Sequence, residues 1–285
     1  VTVAALLATL AASLTAGLLV APSRDWLTDR GLVTTNYQGR TLPCGFGLIL
    51  IPAYFAGTAA FSLAQGHSWS EALPLAVVLG SLGLLGFTDD VLGRGCHGGM
   101  RRHGAILLRE GRLTTGTLKA FGAATLAMTL TGVRPPPPGW LVDAGLIALG
   151  ANAVNLLDVR PGRALGFFWL MLLATFAGSA ARGAVLPILP LVAASLAIAP
   201  LDFGGRGMLG DVGANALGGA AGLFATQALS PAGRETALTL LVMLHVVGEF
   251  GSVSRLIEHT LGRRAVPDGS ARGETGERNS RPSEE

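Results

Sequence analysis

The sequence predicts an all-α protein, a polytopic transmembrane helical bundle of about nine spans with its N-terminus outside and its C-terminus cytoplasmic. Half of the 285 residues are apolar and only 14% are charged, and mean hydropathy is positive, which is not the composition of a soluble domain. The apolar residues gather into long, nearly uncharged runs at 1–20, 45–64, 72–88, 117–133, 140–157, 164–180, 184–201, 212–229 and 236–254. Each approaches the ~20 residues that an α-helix needs to cross ~30 Å of hydrocarbon, the shorter ones borrowing flanking residues. No alternating barrel pattern accompanies them, so helices, which satisfy their own backbone hydrogen bonds, are the expected architecture.

The first run, 1–20, lacks the basic segment that opens a signal peptide and is read as a retained span. Orientation follows from the basic residues. With the N-terminus outside, nine spans put Arg24, Arg30, Arg40, Arg94, Arg101, Arg102, Arg109, Arg112, Lys119, Arg160, Arg163, Arg206 and Arg255 inside, with the tail from Arg263. Only Arg134, Arg182 and Arg234 are left outside. Cys44 and Cys96, the only cysteines, then lie on the reducing side, so no disulfide is expected. Cys96, His97 and His103 lack a second pair at metal-ligand spacing and read as an ordinary loop.

One membrane domain, 1–262, is followed by a disordered cytoplasmic tail, 263–285, made of Gly, Arg, Glu, Ser and Pro with almost nothing to bury. The Gly- and Arg-rich loop 89–113 is too polar for lipid; anion binding and anchoring at the negative inner leaflet account for its arginines equally well. The proline run 135–138 is a stiff external connector.

Carboxylates are costly near membrane helices, so their placement is informative. Asp89, Asp90, Asp158, Asp202, Asp211, Glu249 and Glu258 fall at predicted cytoplasmic ends of spans, against Glu71, Asp143 and Glu235 outside. Acids on the same side as most arginines suit a site for anionic substrates and a divalent cation. Asp89 and Asp90 are adjacent and repel one another unless a cation or proton intervenes; Mg²⁺ bound by one or two carboxylates plus substrate phosphates would relieve them. Asn152, Asn155 and Asp158 recur every three residues, a polar stripe at the inner end of an apolar helix, open to ligand binding or to helix–helix hydrogen bonding. Arg160 and Arg163 follow, with planar forks that match phosphate oxygens.

At the entry to the eighth run, Asp211 sits in Met208-Leu209-Gly210-Asp211-Val212-Gly213-Ala214-Asn215. It is either an N-cap or part of a helix N-terminus that receives phosphate, with flanking glycines to let a ligand approach. Lys119 is the only lysine beside twenty arginines, by chance or because a compact ammonium is needed against phosphate. Around the last span, Glu258 lies three residues after Arg255 and reads as a structural pair on one helix face.

Taken together, these motifs resemble the polyprenyl-phosphate N-acetylhexosamine-1-phosphate transferases, the MraY/WecA-like group of glycosyltransferase family 4. The resemblance runs in order through Asn36-Tyr37-Gln38-Gly39-Arg40 with Pro43-Cys44-Gly45-Phe46-Gly47, then Gly86-Phe87-Thr88-Asp89-Asp90, Asn152 to Asp158, and Leu209-Gly210-Asp211-Val212-Gly213, and so covers most of the chain. It implies a multi-pass protein of the bacterial inner membrane that works at the cytoplasmic face in cell-envelope glycan synthesis. Such an enzyme transfers a sugar 1-phosphate from a UDP-sugar to undecaprenyl or a similar polyprenyl phosphate, releasing UMP. The implied cofactor is Mg²⁺, with Mn²⁺ as its substitute. The implied catalytic residues are Asp89, Asp90, Asp158 and Asp211, with Asp211 and Asp89 as metal ligands and Asp89 as the suggested base. Substrate binding falls to Lys119, Asn152, Asn155, Arg160, Arg163, Asn215 and Arg40. UDP-sugar, polyprenyl phosphate and membrane lipid are the expected partners; a homodimer is an option, and nucleic acid is not expected.

The chain departs from the family in two places. Pro161 stands where a second aspartate usually follows Asp158, and the His-rich loop is missing, with only His245 and His259 near that end. These leave the sugar open and speak against a standard pentapeptide substrate. The chain is also one or two spans shorter. A catalytically silent relative that binds lipid phosphate or scaffolds an envelope complex is the alternative reading. A transporter would need polar groups at mid-membrane.

Overall fold

The structure is a computed structural model and describes residues 2–35, 39–65, 69–92, 106–132, 137–179 and 186–250. Each apolar run lies within, or overlaps, one long helix: α1 (Thr2–Asp29), α2 (Leu50–Gln65), α3 (Leu73–Leu92), α4 (Thr115–Thr131), α5 (Trp140–Leu157), α6 (Arg163–Ala177), α7 (Leu189–Phe203), α8 (Gly210–Ala228) and α9 (Pro231–Phe250). Five helical segments are long and apolar enough to cross a membrane, Val3–Asp29, Phe46–Gln65, Leu73–Leu92, Trp140–Leu157 and Leu186–Phe203. The fold is therefore all-α with several candidate spans, as a multi-pass membrane protein requires.

The remaining four helices meet that standard less well for visible reasons. α6 has only 15 residues. α4 has 17 residues and carries Lys119, and α9 carries Arg234, Glu235 and His245. α8 is diluted by glycine, alanine, Asp211 and Asn215, yet it is the most enclosed helix, with every residue from Val212 to Ala225 buried. A helix surrounded by helices meets no lipid and needs no greasy exterior; small residues serve it better because they let backbones approach. α8 packs chiefly against α5 and α3. At its crossing with α5, a Cβ on Gly218 would lie 2.1 Å from the Gly150 carbonyl oxygen, so any larger residue there would force the two helices apart.

The outer surface is the reverse. On α1, Ala4, Ala8, Ala12 and Ala16 recur every four residues and are buried, while Leu6, Leu10, Leu14 and Leu18 face outward. Leu170 and Leu173 of α6 and Leu240, Met243 and Val247 of α9 extend this apolar exterior. Small residues inside and large apolar ones outside are what lipid surroundings favour.

One feature was not anticipated from the sequence. Val33–Thr35 (β1) and Thr41–Pro43 (β2) pair antiparallel, with Val33 opposite Pro43 and Thr35 opposite Thr41. The segment after β2 then runs beside 208: Met208 N–H donates to the Pro43 carbonyl at 3.0 Å, and Gly45 and Phe46 N–H donate to the Met208 carbonyl, each at 3.1 Å. The hairpin thereby holds the Gly45–Phe46 turn against the start of α8. At the opposite end of the bundle, Arg234 in the first turn of α9 grips both oxygens of Asp143 in the first turn of α5, at 2.8 and 2.9 Å.

Candidate active site

The ends of α3, α5 and α7 and the starts of α4, α6 and α8 meet at one end of the bundle, and their polar side chains meet with them. α3 delivers Asp89 and Asp90 in its last turn. Gly86, one turn earlier, lies so close to the first turn of α8 that a Cβ there would sit 2.2 Å from the Asp211 carbonyl oxygen. That approach lets Asp90 accept Asp211 N–H on one carboxylate oxygen and Val212 N–H on the other, both at 3.0 Å. The first N–H groups of a helix have no partner within it, and an anion there also meets the positive end of the helix dipole. Asp90 is thus the cap of α8, supplied from another helix.

One expectation changes with this. Asp90, expected to be catalytic, accepts a backbone N–H on each carboxylate oxygen. Asp211, weighed as an N-cap, is not one: Leu209 holds that position and makes no side-chain cap. The Gly210 N–H of α8 goes to Asp158 and the Asp211 and Val212 N–H groups go to Asp90, so these three do not await a phosphate. One of the flanking glycines serves protein packing as well, Gly213 lying against the Gly47 backbone.

Asp211 turns instead toward α4. There Thr114 caps the helix by accepting Thr117 N–H at 3.1 Å, and Lys119 projects from the next turn. Its ammonium donates to Asp89 Oδ2 at 2.9 Å and to Asp211 Oδ2. Asn155 of α5 joins them. With its amide oriented to pair both atoms, Nδ2 donates to Asp211 Oδ1 at 2.8 Å and Oδ1 accepts from Lys119 at 3.2 Å. Four expected site residues, from four helices, therefore form one hydrogen-bonded cluster.

Other expected residues border it. Asp158 ends α5, and its carboxylate accepts the Gly210 N–H, next to Asp211; burial first, then the charges of Asp202, Asp211 and Asp90, hold its carboxyl well above the usual carboxylate range. Arg160 and Arg163 are half-buried in the turn into α6, where Arg163 N–H donates to the Arg160 carbonyl at 3.3 Å. Asp202 at the end of α7 accepts Gly162 N–H at 3.0 Å, so this acid also serves a helix start. Asn152 lies one turn before Asn155 on α5, half-buried. Asn215 lies one turn after Asp211 on α8, 3% exposed, and its Nδ2 has no hydrogen-bond partner among the described residues. Such a donor suits a ligand acceptor.

Arg40, expected to bind substrate, lines a cavity with Arg24 and Arg206 apart from this cluster. The expected loop residues Arg94, Cys96, His97, Arg101, Arg102 and His103, the side chain of Glu249, and Arg255, Glu258, His259 and the tail 263–285 lie outside the described residues.

Cys44, read from sequence for its redox state and as part of the Pro43-Cys44-Gly45-Phe46-Gly47 motif, sits beside this cluster. Burial first, then Asp90, Asp158 and Asp211, push its thiol pKa up. A raised thiol pKa means less thiolate at neutral pH, so in a Cys96→Ser protein Cys44 should react with N-ethylmaleimide at least about tenfold more slowly than free cysteine near neutral pH. Its rate should still climb above the ordinary thiol pKa of about 8.5. A rate equal to that of free cysteine would contradict the enclosed, anionic setting.

No family model matches this chain, and no curated protein does.

The chemistry of the site must be argued from its own groups. Among the described residues no three His, Cys, Asp or Glu side chains gather as a metal cage. Asp89 and Asp211 nonetheless already share one cation, the Lys119 ammonium. Two carboxylates so placed fit a Mg²⁺ ion that draws its other ligands from substrate phosphates and water. Beside the acids, the cluster offers an ammonium that can neutralise an anion and an amide that can hydrogen-bond one. Its nearest thiol, Cys44, has its pKa pushed up and is not a ready nucleophile.

Proposed function

We propose that the protein is a membrane phosphoglycosyl transferase that moves a sugar 1-phosphate from a UDP-sugar to a polyprenyl phosphate and releases UMP. The observation that carries this reading is the Asp89–Lys119–Asp211 bridge with Asn155, assembled from α3, α4, α8 and α5 at one end of the bundle. Nine spans, N-terminus outside, would place that end at the cytoplasmic face, where nucleotide sugars are made and where the arginine excess belongs.

Asp89 and Asp211 would hold Mg²⁺, which when bound shields the negative charge of the diphosphate. The acceptor needs little activation, since a phosphate monoester has its second pKa near ~6 and is largely dianionic at neutral pH. An acceptor oxygen forms a bond to the sugar-bearing phosphorus as the bond from that phosphorus to the UMP oxygen breaks, and UMP leaves with that electron pair. Lys119 offsets charge that gathers on the departing phosphate. Asn155 keeps Asp211 and Lys119 aligned. Asn215, with a free amide donor one turn along α8, orients an acceptor group on the substrate. Asp90 and Asp202 hold the starts of α8 and α6, so they position the site without touching substrate.

The test is UMP release by purified protein in nanodiscs across a panel of UDP-sugars, with polyprenyl phosphate and Mg²⁺. Turnover on one sugar, dependent on both acceptor and metal and abolished by EDTA, is expected. Metal-independent retention of the lipid phosphate with no UMP from any sugar would replace the enzyme with a silent lipid-phosphate binder.

A further inference from the structure

A second anion-directed feature lies apart from the carboxylate cluster. Between the last turns of α1 and of α7, closed by β2, is a cavity of about 530 Å³. Arg24 comes from α1, Arg40 from the turn before β2, and Arg206 from the connection into α8; Val20, Leu42 and Ala197 supply apolar wall. The cavity lies at the same end of the bundle as the acids, because α7 finishes there with Asp202 capping α6.

Arginines at an inner membrane boundary are ordinary on charge statistics alone. Three of them drawn from separate segments to one apolar-walled hollow are not explained that way. Arg24 meets a single carboxylate, Asp25, at 3.1 Å, and both are well exposed, so that pair neutralises little. Arg206 donates through Nη2 to the Pro200 carbonyl at 3.0 Å, which leaves the rest of its fork for another partner. Planar guanidinium forks match phosphate oxygens. The apolar side runs on to Leu196, exposed on the outer face of α7, and a hydrocarbon tail would follow that path. A free anion would gain nothing from such walls.

We propose that this cavity binds the phosphate headgroup of an anionic phospholipid, with Arg24, Arg40 and Arg206 on the phosphate and the acyl chains leaving along α7. The site is distinct from the Lys119 cluster. It rests on the membrane reading of the fold and not on transfer activity, so it stands or falls separately from the proposed reaction.

The full chain in detergent is titrated with phosphatidylglycerol or phosphatidylcholine, and bound lipid is counted by native mass spectrometry. Phosphatidylglycerol should be retained in preference. The preference should fall at least about tenfold in R24A/R40A/R206A, as expected when charge-assisted contacts are lost. R24K/R40K/R206K keeps the charge, so it should retain part of the preference and show that the alanine result is not misfolding. An R109A/R112A protein, which loses two surface arginines outside the cavity, should bind as the wild type does. Equal retention of the two lipids, unchanged binding by the alanine variant, equal loss in R109A/R112A, or displacement by an equimolar amount of inorganic phosphate overturns the proposal. So does displacement by equimolar polyprenyl phosphate, which would make the cavity an acceptor site.

Discussion

Asp211→Asn should lower UMP release by at least about 10²- to 10³-fold, the scale of removing one preorganised electrostatic contact to a reacting group. The substitution keeps the size of the side chain and removes its charge. Asp211 is one of two carboxylates on the Lys119 ammonium and the only one of them that also accepts from Asn155. As Asn it would neither share a divalent cation with Asp89 nor hold Lys119 in place. Its own backbone N–H would stay on Asp90, so the start of α8 should remain intact. Loss of turnover with an unfolding temperature close to the wild-type value is the result to look for. Full turnover in Asp211→Asn would remove the central support of the transferase reading.

Lys119→Met should have the second large effect, and it differs in kind. The ammonium and its two acids are mostly enclosed, with 15% exposure for Lys119, 19% for Asp89 and 27% for Asp211. Breaking a buried pair by removing one partner costs about 3–5 kcal/mol because the other charge is stranded. The residual solvent contact here brings the expected loss to about 2–4 kcal/mol. Thermal unfolding in a chelator should show that loss. Added Mg²⁺ should restore stability in Lys119→Met more than in the wild type, since an ion can take the place of the ammonium between Asp89 and Asp211. Turnover should fall as well, through loss of charge on the departing phosphate. A variant as stable as the wild type in chelator, with no response to Mg²⁺, would mean that these carboxylates are not a cation seat.

The two substitutions separate roles that a sequence cannot distinguish. Asp89 and Asp90 are neighbours and chemically identical, yet one faces an ammonium and the other a helix terminus. On α3 successive residues point about 100° apart, so adjacent acids necessarily address different neighbours. Which neighbours they meet depends on how α4 and α8 pack on α3. The same applies to Arg40, whose motif suggested substrate contact and which the hairpin directs to the cavity with Arg24 and Arg206. Three-residue strands without alternating hydrophobicity carry too little local signal to be read, and the β1–β2 hairpin is held largely by partners at 32 and 208.

By itself the sequence determined where the long helices run, because apolar runs and helix geometry are local properties; it also determined that acids and amides gather at helix ends. Tertiary structure alone decided which of them meet. Lys119 is 30 residues from Asp89 and 92 from Asp211, and Asp90 is 121 from the N–H it caps. Over such separations no spacing rule operates. The small residues of α8 let α3 and α5 approach closely enough for those side chains to touch.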